Sequence, residues 1–199
     1  HWAIADVVAI VSEGKKEVST SKGMQSTHSS PFLPVRLARM KEKNENVKKL
    51  IAEKNFKELG ELVEQEALEL HTIMLTQTPP LIYWTPGTLR IMKLTNHWRA
   101  EGIPVYFTIN TGQDIHLICE AENIDKVKAK LKELEEKAVK IRELIIEELV
   151  EAGSGHTAGP LGMADIFTAL YFHVLNHDPK NPEWPERDRL FLSNGHICP

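Results

Sequence analysis

The stretch from Ile124 to Val150, IDKVKAKLKELEEKAVKIRELIIEELV, constrains the chain more than any other. Glutamate and lysine alternate there with apolar residues at helical spacing, so it reads as one long helix. It lacks the sustained heptad of a coiled coil, and a charge run of this kind is ordinarily a solvated face. Strand-containing sequence precedes it and a helix, a loop and a second helix with different turn chemistry follow. The composition changes inside this helix, which places a domain boundary near Leu131 and divides the chain into 1–131 and 132–199.

Ahead of that helix the pattern is mixed. IADVVAIVSEG, from Ile4, is β-branched and bounded by glycine, as a strand is. VSTSKGMQSTHSSP then supplies seven hydroxyl side chains before Pro31. A charged, weakly amphipathic helix is expected from Val35 to Lys54. Asn55 serves as N-cap of a stronger helix whose face carries Phe56, Leu59, Leu62, Val63, Ala67 and Leu70. QTPP breaks the pattern and Thr88 to Trp98 resumes it. PVYFTI, NTGQD and IHLICE read as strand, tight turn and strand, with Gly112 free to take a positive φ. Beyond the long helix, Met163 to Leu175 gives another helix, and LFLS a final strand. No internal repeat is visible. The fold class expected is α+β.

The balance of charge narrows the function classes. A net charge of −4 with mixed signs leaves no basic footprint for nucleic acid. No apolar run approaches the roughly 18 to 20 residues of a membrane span. Cys119 and Cys198 have neither metal-ligand spacing nor a disulfide framework around them, which suits a reducing cytoplasm. The chain starts at His1 and finishes on FLSNGHICP without a closing element, so both ends read as cut.

EAGSGHTAGPLGMADI, from Glu151, packs Gly153, Gly155, Gly159 and Gly162 around one histidine, and such spacing suggests a phosphate. A lysine-containing phosphate loop is excluded, because no lysine or arginine lies between Arg142 and Lys180. Gly153-x-Gly155-x-x-Ala158, with Asp178 as a ribose acid, fits a dinucleotide fingerprint only loosely. That fingerprint requires a preceding strand. Here Ile141, Leu144, Ile145, Leu149 and Ala152 recur at helical spacing instead, so the loop joins two helices.

KKEVSTSKGMQSTHSSPF from Lys15, then Arg36, TPPLIY and YFTINTGQDIHLI resemble, in order, the C-terminal part of mevalonate diphosphate decarboxylases and their monophosphate-using relatives. These belong to the GHMP kinase superfamily. The resemblance implies a GHMP-kinase-type C-terminal domain. It also implies an ATP- and Mg2+-dependent reaction in which phosphorylation of the tertiary hydroxyl of a mevalonate phosphate drives decarboxylation. Thr20 and Ser21 match hydroxyl-bearing positions before the Gly23-Met24 pair, beside the substrate's phosphate end, and Met24 joins them as substrate-binding. Hydroxyls donate to phosphate oxygens without burying a further charge, though a Ser/Thr-rich loop also caps helices. The family reads D-A-G-P-N where this chain reads Asn110-Thr111-Gly112-Gln113-Asp114. In the family the first acid of that motif is catalytic, placed by the hydroxyl to be phosphorylated, and an amide can neither accept that hydroxyl's proton nor supply negative charge. Three readings stay open: Asp114 supplies the carboxylate, the parent enzyme phosphorylates without decarboxylating, or Asn110 and Asp114 only stabilise the turn. The family's ATP loop lies in its N-terminal part.

KIRELIIEELVEAGSGHTAGPLGMADIFTALYFHVLNHDPKNPEWPERDRLFLSNGHICP resembles the start of transketolase, especially the N-terminal subunits of two-subunit forms. It implies the helical start of a thiamine-diphosphate-binding α/β domain, with thiamine diphosphate and Mg2+ as cofactors of the parent. Such a parent would pair with a C-terminal transketolase subunit and homodimerise. His156 would face the reacting sugar hydroxyls, and His196 would lie near the cofactor's diphosphate. An imidazole with a pKa near 6.5 can donate to a diphosphate or move a proton at neutral pH. The family commonly has His-Pro-Gly where this chain has His156-Thr157-Ala158. Arg187, Asp188 and Arg189 are expected to form ion pairs that orient LFLS, and Pro182, Trp184 and Pro185 to pack. The family's metal-binding G-D-G segment falls outside the region matched, so no metal ligand is assigned.

The expectation is a joined chain of two enzyme pieces acting on small-molecule phosphates in the cytoplasm, with no nucleic-acid or membrane role. By itself the chain is expected to hold neither cofactor and to be inactive. The join is either a gene fusion or a read-through or assembly accident, and an end of the first family missing after Leu131 favours an accident. A different class of reading is a non-catalytic helical interaction module.

Overall fold

The structure is a computed structural model and describes residues 2–11, 18–193 and 195–197. Ser12 to Glu17 and Cys198 lie outside the described residues. The chain divides into two compact units, residues 1–128 and 129–199, and the boundary falls within one helix.

In the first unit a three-stranded antiparallel sheet carries β1 (Ile4–Ala9), β2 (Val105–Thr108) and β3 (Ile115–Glu120) in the order β1-β3-β2. Residue Ile4 pairs with Glu120 and Ala9 with Ile115, while Val105 pairs with Cys119 and Thr108 with His116. The central strand alternates strictly. Ile115, Leu117 and Cys119 are fully buried on one face and His116, Ile118 and Glu120 lie on the other, the pattern of a sheet covered on one side. Burial also raises the Cys119 thiol above its ordinary range, and the Asp6 carboxylate adds to the effect.

Helices α2 (Leu33–Glu53), α3 (Phe56–Thr76) and α4 (Pro86–Ala100) follow the short α1 (Thr20–Met24). Lys54 takes a left-handed conformation, φ 54°, which ends α2, and the Asn55 side chain accepts from the Glu58 N–H at 3.3 Å to begin α3. Thr85 and Thr88 form a reciprocal cap before Pro86 at the start of α4. Helices α3 and α4 both pack on β2, and α2 packs on α3. Gly60 permits the closest approach, since a Cβ there would meet the Tyr106 ring at 2.1 Å. Strand β2 is an edge, and its exposed backbone is closed by side chains: Glu64 accepts the Phe107 N–H at 3.0 Å, and Arg99 donates to the Val105 carbonyl at 2.8 Å and to both oxygens of Glu64.

The turn between β2 and β3 departs from expectation. Positive φ occurs at Gly102, Gly153 and Gly155, and Gly112 is not among them. The Gly112 N–H instead returns to the Asn110 carbonyl at 2.8 Å, a three-residue turn centred on Thr111 that requires no glycine conformation.

In the second unit, helix α5 (Ile124–Ala152) ends where Gly153 adopts φ 63°, its N–H bonded to the Val150 carbonyl at 3.2 Å. Helix α6 (Ala158–Ala169) starts five residues before the expected Met163, because Pro160 sits in its first turn where no N–H is needed. It runs on through a wider turn over Leu170–Val174, closed by the Leu175 N–H to the Leu170 carbonyl at 2.8 Å. Residues 190–193, LFLS, are not a strand. A strand needs a ladder, and no described strand in this unit offers one. Asp188, expected among ion pairs, exchanges two hydrogen bonds with the Asn176 backbone, and Arg187 donates to the Pro182 carbonyl.

Candidate functional site

The hydroxyl-rich segment opens with Ser19, whose side chain accepts from the Lys22 N–H and caps α1. Thr20, Ser21 and Met24 are exposed. Between them Gly23 is buried because a Cβ would meet Leu81 at 2.5 Å and the Tyr83 hydroxyl at 3.0 Å. The 77–84 segment holds this stretch from below: the Gln77 amide donates to the Gly23 carbonyl at 3.2 Å, and the Tyr83 hydroxyl donates to the Val18 carbonyl at 3.1 Å. Backbone fixed in this way leaves the Thr20, Ser21 and Met24 side chains facing outward.

The β2–β3 turn arrives at the same place. The Thr20 and Thr111 hydroxyls are 2.8 Å apart, which sets the exposed Asn110 next to the hydroxyl segment. Asp114 is engaged elsewhere, accepting the Val11 N–H at 3.0 Å just beyond β1. Thr88 anchors the far side of the turn by donating to the Gln113 carbonyl at 2.7 Å. Thus Thr20 meets Thr111, the residue after Asn110, Ser21 and Met24 are carried on the same α1, and Asp114 accepts from Val11 just beyond β1.

His71 belongs to none of the motifs quoted above. Its ring is 1% exposed on α3, lies 4.9 Å from the Trp84 ring and donates Nε2–H to the Asn110 carbonyl at 3.0 Å. Burial lowers its pKa, with the Asn110 hydrogen bond opposing, so the imidazole is held neutral. The available signal was a titratable residue on an apolar helical stripe, at Ala67, His71 and Met74, a pattern more often met in plain core.

In the second unit the His156 and His196 rings meet edge to face, 4.4 Å between centroids, and both are exposed. Gly159 makes the meeting possible, since a Cβ there would strike the His196 carbonyl oxygen at 2.5 Å. Arg142 pairs with Asp165 at 2.5 Å across α5 and α6. Two imidazoles on adjacent turns fit the oxygens of a diphosphate as donors. No cluster of three or more metal-ligating side chains occurs among the described residues, and no described helix is long and apolar enough to cross a membrane.

Comparison with known proteins identifies two families. Residues 6–157 match the mevalonate 5-diphosphate decarboxylase C-terminal domain, and residues 134–199 match the transketolase thiamine diphosphate binding domain. The two matches overlap in α5 and the loop after it. The first continues past Leu131, to residue 157. Among solved structures, the mevalonate diphosphate decarboxylase from Enterococcus faecalis is 32% identical at a TM-score of 0.60, covering 65% of this chain and 39% of that one. The enzyme from Staphylococcus aureus is 30% identical at 0.61, covering 64% and 39%. A 6-deoxy-6-sulfo-D-fructose transketolase subunit of Clostridium sp. (strain MSTE9) is 48% identical over 67 residues, 34% of this chain and 24% of that protein. Transketolase 1 of Aliivibrio fischeri is 54% identical over 56 residues, 28% of this chain and 8% of that protein. The chain thus spans well under half of the solved chains and about a quarter or less of these curated relatives.

Proposed function

Since this chain belongs to the mevalonate 5-diphosphate decarboxylase C-terminal domain family, we propose that its first unit forms part of a site for ATP-dependent chemistry on a mevalonate phosphate. The second unit, on this reading, forms the beginning of a thiamine diphosphate site for ketol transfer between sugar phosphates. The observation that carries the first assignment is the 2.8 Å contact between Thr20 and Thr111, which joins the hydroxyl segment to the turn bearing Asn110. Thr20 and Ser21 donate to the substrate's phosphate oxygens and Met24 lines the apolar part. ATP with Mg2+ would supply the phosphoryl group to the whole enzyme. Titration of the 199-residue chain with mevalonate 5-diphosphate, followed by NMR, tests this. Saturable shifts at Thr20, Ser21 and Thr111 support it, and shifts scattered over the surface or none at all reject it.

A second reading concerns the outcome of that chemistry. Asn110 stands where the family carries an acid, and the Asp114 carboxylate is engaged by the Val11 N–H. This favours phosphorylation of the substrate without decarboxylation. In an enzyme containing this unit, ADP formation in excess of CO2 release supports the second reading, and equal amounts of both reject it.

For the second unit, the 4.4 Å pairing of His156 and His196 supports a shared role. His156 would hydrogen-bond sugar hydroxyls and move a proton, and His196 would donate to the cofactor's diphosphate. Thiamine diphosphate with Mg2+ would supply the carbanion chemistry of ketol transfer. A C-terminal transketolase subunit and a second copy are the partners expected of such an enzyme. The buried, unbridged Cys119 supports a cytoplasmic setting.

A further inference from the structure

We propose that His71 is a positioning residue for the first site, fixing the Asn110 turn through its Nε2–H. The proposal rests on the mevalonate phosphate reading given above and extends it to a residue that touches no substrate.

Two donors converge on one atom. The Asn110 carbonyl oxygen accepts from the Gly112 N–H at 2.8 Å and from His71 Nε2 at 3.0 Å. The first bond is local and only closes the turn. The second ties the turn to α3, which packs on β2, so it fixes where the turn stands. With its carbonyl directed at the imidazole, Asn110 keeps its exposed side chain away from the core.

The same framework holds both halves of the site. Trp84 lies against the His71 ring, while Tyr83 and Gln77 hold the Val18 and Gly23 carbonyls. The 77–84 segment therefore braces the hydroxyl segment directly and the turn by way of His71. A phenylalanine at position 71 would fill the space and lose the donor. Glutamine can carry an amide N–H to about the position of Nε2, whereas asparagine is too short to reach it.

The test uses the 199-residue chain and its His71→Gln, His71→Asn and His71→Phe variants. Hydrogen exchange at the Gly112 amide and affinity for mevalonate 5-diphosphate are measured, with thermal melting as a check on folding. His71→Gln is expected to keep Gly112 protection and affinity within about threefold of wild type. His71→Asn and His71→Phe should exchange faster at Gly112 and bind roughly five- to tenfold more weakly, the effect of one lost hydrogen bond. If His71→Phe fails to fold, the comparison of glutamine with asparagine decides. Equal Gly112 protection in the glutamine and asparagine variants overturns the proposal. A wild-type chain that protects Gly112 through His71 yet binds no mevalonate 5-diphosphate overturns the site reading and leaves His71 as a purely structural anchor, which also rejects a positioning role.

Discussion

The hydroxyl of Thr20 lies 2.8 Å from the hydroxyl of Thr111, across 91 positions of sequence. One belongs to α1 and the other to the β2–β3 turn, so this contact joins the two segments that the family resemblance implicates separately. Neither hydroxyl is buried, and the bond is worth little to stability on its own. Its value lies in orientation. Thr20→Val and Thr111→Val should each shift the melting temperature by less than about 3 °C, since surface substitutions seldom exceed ~0.5 kcal/mol. Each should weaken mevalonate 5-diphosphate binding, and the double variant should lose less than the sum. Strict additivity in a double-mutant cycle rejects coupling between them.

What the sequence made legible was local. Asn55 caps α3 as its position implies, and the NTGQD turn joins two strands because alternating apolar residues flank it. The pairing of β1 with β3 rather than β2 is nonlocal and has no marker in either strand. LFLS shows the opposite failure, for its apolar run looks like a strand but nothing described beside it offers a ladder. His71 escaped notice for a different reason: its partner is a backbone carbonyl, and backbone atoms carry no sequence signature. In the second unit the histidines were legible as motif members. Their approach to 4.4 Å depends on Gly159, whose role appears only in three dimensions.

The exchange of acid and amide in the β2–β3 turn can be tested in an enzyme that contains this unit. Asn110 is exposed at the turn, and Asp114 accepts the Val11 N–H. Asn110→Asp should raise CO2 release by about 10²-fold or more if a base was missing. Asp114→Asn keeps an acceptor for Val11 and should change CO2 release by less than about threefold. The reverse result, no gain from Asn110→Asp and loss of activity in Asp114→Asn, identifies Asp114 as the working acid.

The two histidines of the second unit should differ in what they disturb. In an intact transketolase containing this unit, His156→Ala is expected to lower kcat/KM for the ketose by roughly 10²- to 10⁴-fold with cofactor affinity nearly constant. His196→Ala should also weaken thiamine diphosphate, because a charge-capable donor to the diphosphate is lost. Kinetics and cofactor titration on both variants check this. Wild-type turnover in His156→Ala would reduce the glycine loop to a helix connector.

His71 also leaves a mark on stability against pH. Burial sets its pKa in the folded chain below the ordinary 6.5, so the unfolded chain takes up the proton first. Its contribution is fully present above about pH 6.5 and declines as pH falls from there toward the folded pKa, below which it is flat. The slope within that window is at most ~1.4 kcal/mol per pH unit. His71→Gln does not titrate. The difference between wild-type and His71→Gln unfolding free energies should therefore change between pH 7.5 and 5, and a constant difference would show that burial leaves the imidazole unperturbed.

The charged cluster between α2 and α3 tests whether its buried cation is needed as a charge or as a stem. Lys43 is 6% exposed and donates to Glu66 and Glu69, while Arg36 pairs with Glu66 at 2.7 Å and Arg39 with Glu69 at 3.2 Å. Burial works to raise the Glu66 carboxyl, but the hydrogen bonds from Lys43 and Arg36, reinforced by their charge, bring it below its ordinary 4.5. Lys43→Met keeps the aliphatic packing and leaves each carboxylate one arginine, so a loss of about 1 to 2 kcal/mol at pH 7 is expected. Lys43→Ala also opens space and should cost about 2 to 4 kcal/mol. A depressed carboxyl contributes stability above pH 4.5 that is lost as pH falls through the folded pKa. The penalty of Lys43→Met, measured by denaturant unfolding, should therefore shrink once pH drops below 4.5. A Lys43→Met penalty near zero at every pH, with Lys43→Ala still costly, would mean that Lys43 acts through its packing alone.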